Sequence, residues 1–354
     1  MTCSPPRAVF IDICNRCGLR CPYCPTGRRE RSFPHLVLSV ERFTALVERV
    51  APFAESITLH NWGEPFLNPR FLEIAALAAE SGRHVHTDSN LNFPPLDRTA
   101  AERVVRSGLH TLHASIDGVS QAAYQRYRVG GNLALALHNL RRLAEARDRL
   151  GSSFELVWKF VVHRHNEHEM EVAVRLAREI GVAIVFQLLS TDGNPDWLSS
   201  LHDRSDRLPL GAPLAVELAG ETFHVFWHNH VPVARYLGRR SPDLDPPPPS
   251  TRRSFPVEID ALVLDPRLPW CCRQPFEALY VNSDGSVTPC CTAWGAEFSV
   301  GNLLEQSFDE VWNGPAMRAC RAWLLAPGAG AGRQQGSVCE TRPCEFRTMA
   351  FGRR

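Results

Sequence analysis

The sequence is almost without lysine. Of its 39 basic residues, Lys159 alone is a lysine. We read that skew as a composition bias rather than as chemistry. Net charge is nearly missing as well, because 39 basic and 38 acidic side chains leave +1. So balanced a chain sets up no strong field for nucleic acid or for an anionic membrane. No apolar run approaches the roughly 18 residues of a membrane span. The stretch from Met1 to Arg7 lacks the charged-then-apolar layout of a secretion signal. The expected location is therefore the cytoplasm, where disulfides are rare. Cysteine is absent between Cys24 and Cys271, yet the chain has 12 of them. They gather at the two ends, Cys3 to Cys24 and Cys271 to Cys344. In that compartment a disulfide framework is not expected, and two clustered sets point to metal binding.

What is present is a globular composition, 44% hydrophobic and 22% charged, in a chain long enough for a large domain plus a small module. Short β-branched or apolar runs at 8–13, 56–60, 83–88, 111–116, 154–162 and 183–188 read as strands. Amphipathic stretches at 39–51, 69–81, 97–107, 133–150 and 167–180 read as helices. In the first, Phe43, Leu46, Val47 and Val50 recur at helical spacing behind the capping residue Ser39. Strands alternating with helices imply right-handed crossovers and a parallel sheet. Six units fit a partial (β/α)6 TIM-like barrel better than a closed eight-stranded one.

The alternation stops near Ser190. Residues 191–256 read as a linker that covers the site, with a hairpin around Ala219-Gly220. Residues 257–354 read as a small α+β module. It holds a hairpin signal at Asn282-Ser283-Asp284-Gly285 and a capping box at Ser307 and Glu310. A second helix follows Gly314-Pro315 and runs to about Leu325. The expected division is thus 1–190, 191–256 and 257–354.

Directly after the first strand comes Cys17-Gly-Leu-Arg-Cys21-Pro-Tyr-Cys24. Three thiolates so close can wrap one metal centre, and thiolate suits both iron–sulfur clusters and zinc. Three ligands leave one iron of a four-iron cluster open, whereas structural zinc needs a fourth protein ligand. Cys14 is a possible fourth; we read it as a buried strand-end thiol. A zinc knuckle is the competing reading.

The cysteine spacing, with Tyr23 before the last cysteine, resembles the signature of the radical S-adenosylmethionine superfamily. That resemblance implies a [4Fe-4S] cluster on Cys17, Cys21 and Cys24 whose open iron binds S-adenosylmethionine. It implies reductive cleavage to a 5′-deoxyadenosyl radical, which abstracts a substrate hydrogen. Tyr23 would lie against the cofactor. Asn61-Trp62-Gly63-Glu64-Pro65 resembles the family's Gly-Gly-Glu-Pro loop, with Trp62 in place of the first glycine. By resemblance Gly63 and Glu64 hold the cofactor's amino group, Ser115 and Arg128 its carboxylate, and Asn90 its ribose. The polar residues at successive strand ends fit the place where barrels bind ligands. His60, His84, His86, His110 and His113 lie on or near strands and read as packed or surface histidines, with a metal site as the alternative.

Cys272, then twelve residues, Gly285, four residues and Cys290, resembles the opening of a SPASM or twitch auxiliary-cluster domain. The expected ligands of a second [4Fe-4S] cluster are Cys272, Cys290, Cys339 and Cys344. Cys271, Cys291 and Cys320 are substitutes, and a zinc ribbon is the alternative. Cys291 and Cys320 are also candidates to donate a hydrogen atom to a substrate radical.

The resemblance implies a radical enzyme served by an external electron donor such as flavodoxin or ferredoxin. No room precedes Cys17 for a leader-binding domain, so the expected substrate is a small polar or sugar-like intermediate that is oxidised, epimerised or rearranged. The alternative is a maturase of a ribosomal peptide or protein side chain. A non-enzymatic iron–sulfur or zinc scaffold is the second alternative.

Overall fold

A computed structural model describes residues 5–30, 36–191, 194–205, 214–226, 274–293 and 295–325. Six parallel strands build the barrel wall: β1 (Ala8–Ile11), β2 (Ser56–Thr58), β3 (His84–Ser89), β4 (Thr111–Ser115), β5 (Glu155–Val162) and β6 (Ala183–Leu188). Each expected strand is present, shorter by a few residues at some ends. Helices α1 (Val40–Val50), α2 (Phe71–Glu80), α3 (Arg98–Val105), α4 (Gln121–Tyr127), α5 (Leu133–Leu150) and α6 (Met170–Ile180) form the crossovers. Among the described residues, no helix is long and apolar enough to cross a membrane.

The local reasons for these elements are legible in the side chains. Ser39 accepts from the Arg42 N–H and starts α1, which buries Phe43, Leu46, Val47 and Val50. Asp97 and Asn132 cap α3 and α5 in the same way. Gly151 and Gly181 end α5 and α6 in the left-handed conformation that favours glycine. Helix α4 was not expected. Ser120 caps it, and it turns Tyr124 and Tyr127 inward.

The wall continues beyond six strands on both sides. The hairpin expected in the linker is present as β7 (Leu214–Leu218) and β8 (Glu221–Phe226), and β8 pairs parallel with β6. That hairpin of the 191–256 segment thus joins the barrel sheet. On the other side β9 (Ala278–Val281) pairs parallel with β1, placing Val9 opposite Leu279. Strands β10 (Ser286–Thr288) and β11 (Gly301–Asn302) follow it antiparallel. The small α+β module thus extends the barrel sheet directly. The capping box at Ser307 and Glu310 forms and opens a helix over Phe308–Trp312; another spans Pro315–Leu325. Phe308 stacks on Phe53 at 4.0 Å between ring centres, and the Ser283 hydroxyl donates to the Asp12 carbonyl.

Trp158 of β5 is fully buried and its indole N–H donates to the Ile116 carbonyl at 2.6 Å. Trp158→Ala is expected to cost about 3–5 kcal/mol of stability, as large-to-small core changes do. Denaturant unfolding checks this, with Val172→Ala on the exposed face of α6 as the control. Equal effects at the two positions would contradict the assigned core.

Candidate functional site

The site grows from the loop after β1. Its backbone closes small turns, with the Cys24 N–H donating to the Cys21 carbonyl and the Arg28 N–H to the Cys24 carbonyl. Gly27 lies against the Cys21 backbone, where a Cβ would meet both N and O at 2.5 Å. The Arg20 N–H donates to the Val129 carbonyl and ties the loop to the chain after α4.

A second tie comes from the loop after β2. A Cβ at Gly63 would lie 1.7 Å from the Cys14 carbonyl oxygen, so only glycine permits this approach. The next residue donates its N–H to the Arg16 carbonyl at 2.7 Å. The Glu64 carboxylate is buried and cross-links strand ends. It accepts from the Ser89 hydroxyl, the Asn90 N–H and the Phe66 N–H. Burial pushes its pKa up to about 7, against the pull of those hydrogen bonds.

These ties bring Cys17, Cys21 and Cys24 together. The Asn90 amide reaches the Cys17 sulfur at 3.5 Å, and the Arg128 guanidinium lies 4.0 Å from the Cys21 sulfur. Burial, then neighbouring acids and thiols, pushes Cys17 up to about 12; burial pushes Cys21 up to about 12 against the pull of Arg128. Such thiols ionise only beside a strong cation, and a coordinating metal is one that removes the proton outright. The donor set, three soft sulfurs in a water-poor cradle, fits a [4Fe-4S] cluster with one open iron. Cys14 is buried at the bridge to Val37, under the influence of Asp12, Glu64 and Arg16 rather than the other thiols.

Around this cradle lie the other expected cofactor residues. Ser115 ends β4 and is buried. Arg128 is anchored at 2.5 Å by Asp117, whose other oxygen accepts from the Val161 N–H. Asn90, the residue expected at a ribose, has its amide 3.5 Å from the Cys17 sulfur. Tyr23 packs edge-on against Trp197 at 5.4 Å, and Trp197 also meets Tyr127, His163 and His165. Asp117, Ser89 and Trp197 had no expected role. Asp117 and Ser89 stood inside recognisable strand-end motifs. Trp197 carried no local signal.

In the small module, Cys290 and Cys291 diverge. Cys290 packs with Cys320, Ala293 and Phe298. Cys291 packs with Ala278, Tyr280, Phe10 and Trp62. The Trp62 indole donates to the Cys291 carbonyl at 2.8 Å, which gives the replaced glycine a structural use. Cys320 thus stands beside an expected cluster ligand, and Cys291 faces the barrel. Cys272, Cys339 and Cys344 lie outside the described residues, as do Cys3 and Cys271.

Comparisons with known proteins agree with this geometry. The radical SAM superfamily description matches residues 11–177, and the SPASM iron–sulfur cluster-binding domain matches 271–345. A PqqA peptide cyclase of Gluconobacter oxydans is 30% identical over 51% of this chain and 49% of its own length. The chain thus spans about half of that relative. A PqqA peptide cyclase of Streptomyces rochei is 26% identical over 98% of this chain and 85% of its own. Among solved structures, Streptococcus suis SuiB bound to S-adenosylmethionine superposes with a TM-score of 0.63. It covers 98% of this chain and 72% of that one at 12% identity, a likeness of fold.

Gly63→Ala is expected to push the cysteine loop off its cradle. Iron bound after anaerobic reconstitution should fall by roughly half, four of about eight atoms. Full iron content and unaltered cofactor binding would contradict the cradle.

Proposed function

Because the chain belongs to the radical SAM superfamily and carries a SPASM domain, we propose that it is a peptide-modifying enzyme, which abstracts a hydrogen atom from a peptide and joins two of its positions by a new bond. The observation that carries the reading is the three-cysteine cradle beside Glu64, Asn90 and Arg128. The peptide class is supported by the relatives named PqqA peptide cyclase, one of them similar over 98% of this chain. It is supported in fold by the structure titled SuiB bound to precursor peptide SuiA, with a TM-score of 0.62. The small sugar-like substrate expected from the sequence rested on the short segment before Cys17. Similarity along nearly the whole chain to a named peptide cyclase outweighs that argument.

When bound, the cluster and S-adenosylmethionine supply the radical, and the protein supplies placement and shielding. Cys17, Cys21 and Cys24 hold the cluster. Gly63 and Glu64 offer a backbone edge and a carboxylate to the cofactor's amino group. Arg128, fixed by Asp117, offers a guanidinium fork to its carboxylate, together with Ser115 at the end of β4. Trp197 and Tyr127 exclude water from the sulfur side. In the small module, Cys290 with Cys272, Cys339 and Cys344 would hold a second cluster, which when bound would supply a one-electron acceptor for a bond formation that also releases a proton. Cys320 is the substitute ligand. Cys291 is the candidate hydrogen donor if the substrate radical is quenched instead. An external donor of the flavodoxin or ferredoxin type supplies the first electron.

Anaerobic protein with dithionite and S-adenosylmethionine is expected to form 5′-deoxyadenosine, and Cys21→Ala is expected to abolish it. With a peptide substrate, the product should be lighter by two hydrogens. Turnover in Cys21→Ala would remove the ligand assignment. A sugar-like substrate oxidised in place of any peptide would restore the small-molecule reading. Absence of deoxyadenosine from fully iron-loaded protein would favour a scaffold.

A further inference from the structure

The barrel interior holds a polar cluster that the cofactor site does not use. Four successive strands, or the turn just beyond one, contribute to it: His60 after β2, His86 and Asp88 of β3, His113 of β4 and Lys159 of β5. All converge on the Asp88 carboxylate. His86 Nε2 lies 2.8 Å from Oδ1 and His113 Nδ1 3.3 Å from it. The Lys159 ammonium contacts Oδ2, and His60 Nε2 approaches it at 3.7 Å. Two residues on from Asp88, just past the end of β3, Asn90 touches the Cys17 sulfur, so the cluster lies next to the cofactor site along the chain.

His60, His86 and Asp88 hold ligand atoms within 4.8 Å of one another, close enough for a metal. The hydrogen bonds oppose that use. His60 Nδ1 accepts from the Asp88 N–H at 2.9 Å, so the proton of the neutral ring sits on Nε2. That nitrogen has no lone pair to give. His86 likewise turns Nε2 toward an acceptor-only carboxylate. Burial would raise the Asp88 carboxyl, but the Lys159 ammonium and the hydrogen bonds from His113 and His86 hold it well below the usual range. Asp88 is therefore an anion already compensated by donors from three strands.

Lys159 is the opposite case. An ammonium carries three donors, and its one hydrogen bond among the described residues is to Asp88. Its side chain is 17% exposed. Burial, with neighbouring histidines, pushes His60 down to about 3 and His113 to about 4, and neither carries charge at neutral pH. The charges of Lys159 and Asp88 cancel. A neutral acceptor can join the spare donors without leaving a buried charge uncompensated, whereas a carboxylate would add one beside Asp88.

We propose that Lys159, positioned by Asp88, is a substrate-binding residue that takes an uncharged amide carbonyl oxygen of the peptide. This rests on the peptide reading and adds which group of the peptide is held. Because the chain has a single lysine, [13Cε]lysine labelling gives the cluster-loaded protein one lysine resonance, assigned without variants. We would titrate it with N-acetylglycine N-methylamide as a backbone probe, propionamide as a side-chain amide probe, and acetate. The expected result is a saturable shift with at least one amide and none with acetate at equal concentration; the responding amide tells backbone from Asn or Gln recognition. A larger shift with acetate, or no shift with any probe, overturns the proposal. If amides move the resonance but no peptide is ever modified, the peptide reading fails and the amide site stands. If a peptide is modified and Lys159 stays unmoved, the site alone fails.

Discussion

The structure depends on one close approach, that of Gly63 to the backbone after β1. A side chain there would overlap the Cys14 carbonyl. Because none exists, the loops after β1 and β2 lie against each other, and the Glu64 N–H bonds the Arg16 carbonyl. The three cysteines follow from that contact. They curl beside a buried carboxylate that holds the end of β3 through Ser89 and Asn90. Buried polar groups of this kind are tolerated only when satisfied, and each of these is.

The same economy joins the two iron–sulfur regions. Strand β9 pairs with β1, so the small module is registered on the strand that feeds the cysteine loop. Trp62 stands between them, with its indole on the Cys291 carbonyl and its own carbonyl 4.0 Å from the Cys24 sulfur. The departure from a second glycine in the Gly63-Glu64 loop therefore has a packing reason in this chain. Cys290 and Cys291 are neighbours in sequence but face different surroundings, Cys290 with Cys320 and Cys291 toward the barrel.

Much of this was legible in the sequence. The six wall strands showed as β-branched runs, and their helices showed as 3.6-residue patterns with named caps. The cysteine loop and strand-end residues were legible because their chemistry is local. Helix α4 was hidden because it is short and overlaps the motif around Arg128. Pairings of β8 with β6 and β9 with β1 were hidden because they join distant segments and leave no local trace. Asn90 was assigned to a ribose by motif, and its amide also reaches the Cys17 sulfur, a contact that left no trace in the sequence. Lys159 was visible as an oddity of composition, but only the alternation of strand faces sets it beside Asp88.

The central claim is that three sulfurs leave one iron open to the cofactor. The most direct test is electron paramagnetic resonance of the reduced protein, with and without S-adenosylmethionine. An open iron predicts a four-iron signal whose shape changes when S-adenosylmethionine binds. A signal indifferent to S-adenosylmethionine, or zinc in place of iron at Cys17, Cys21 and Cys24, would contradict the account.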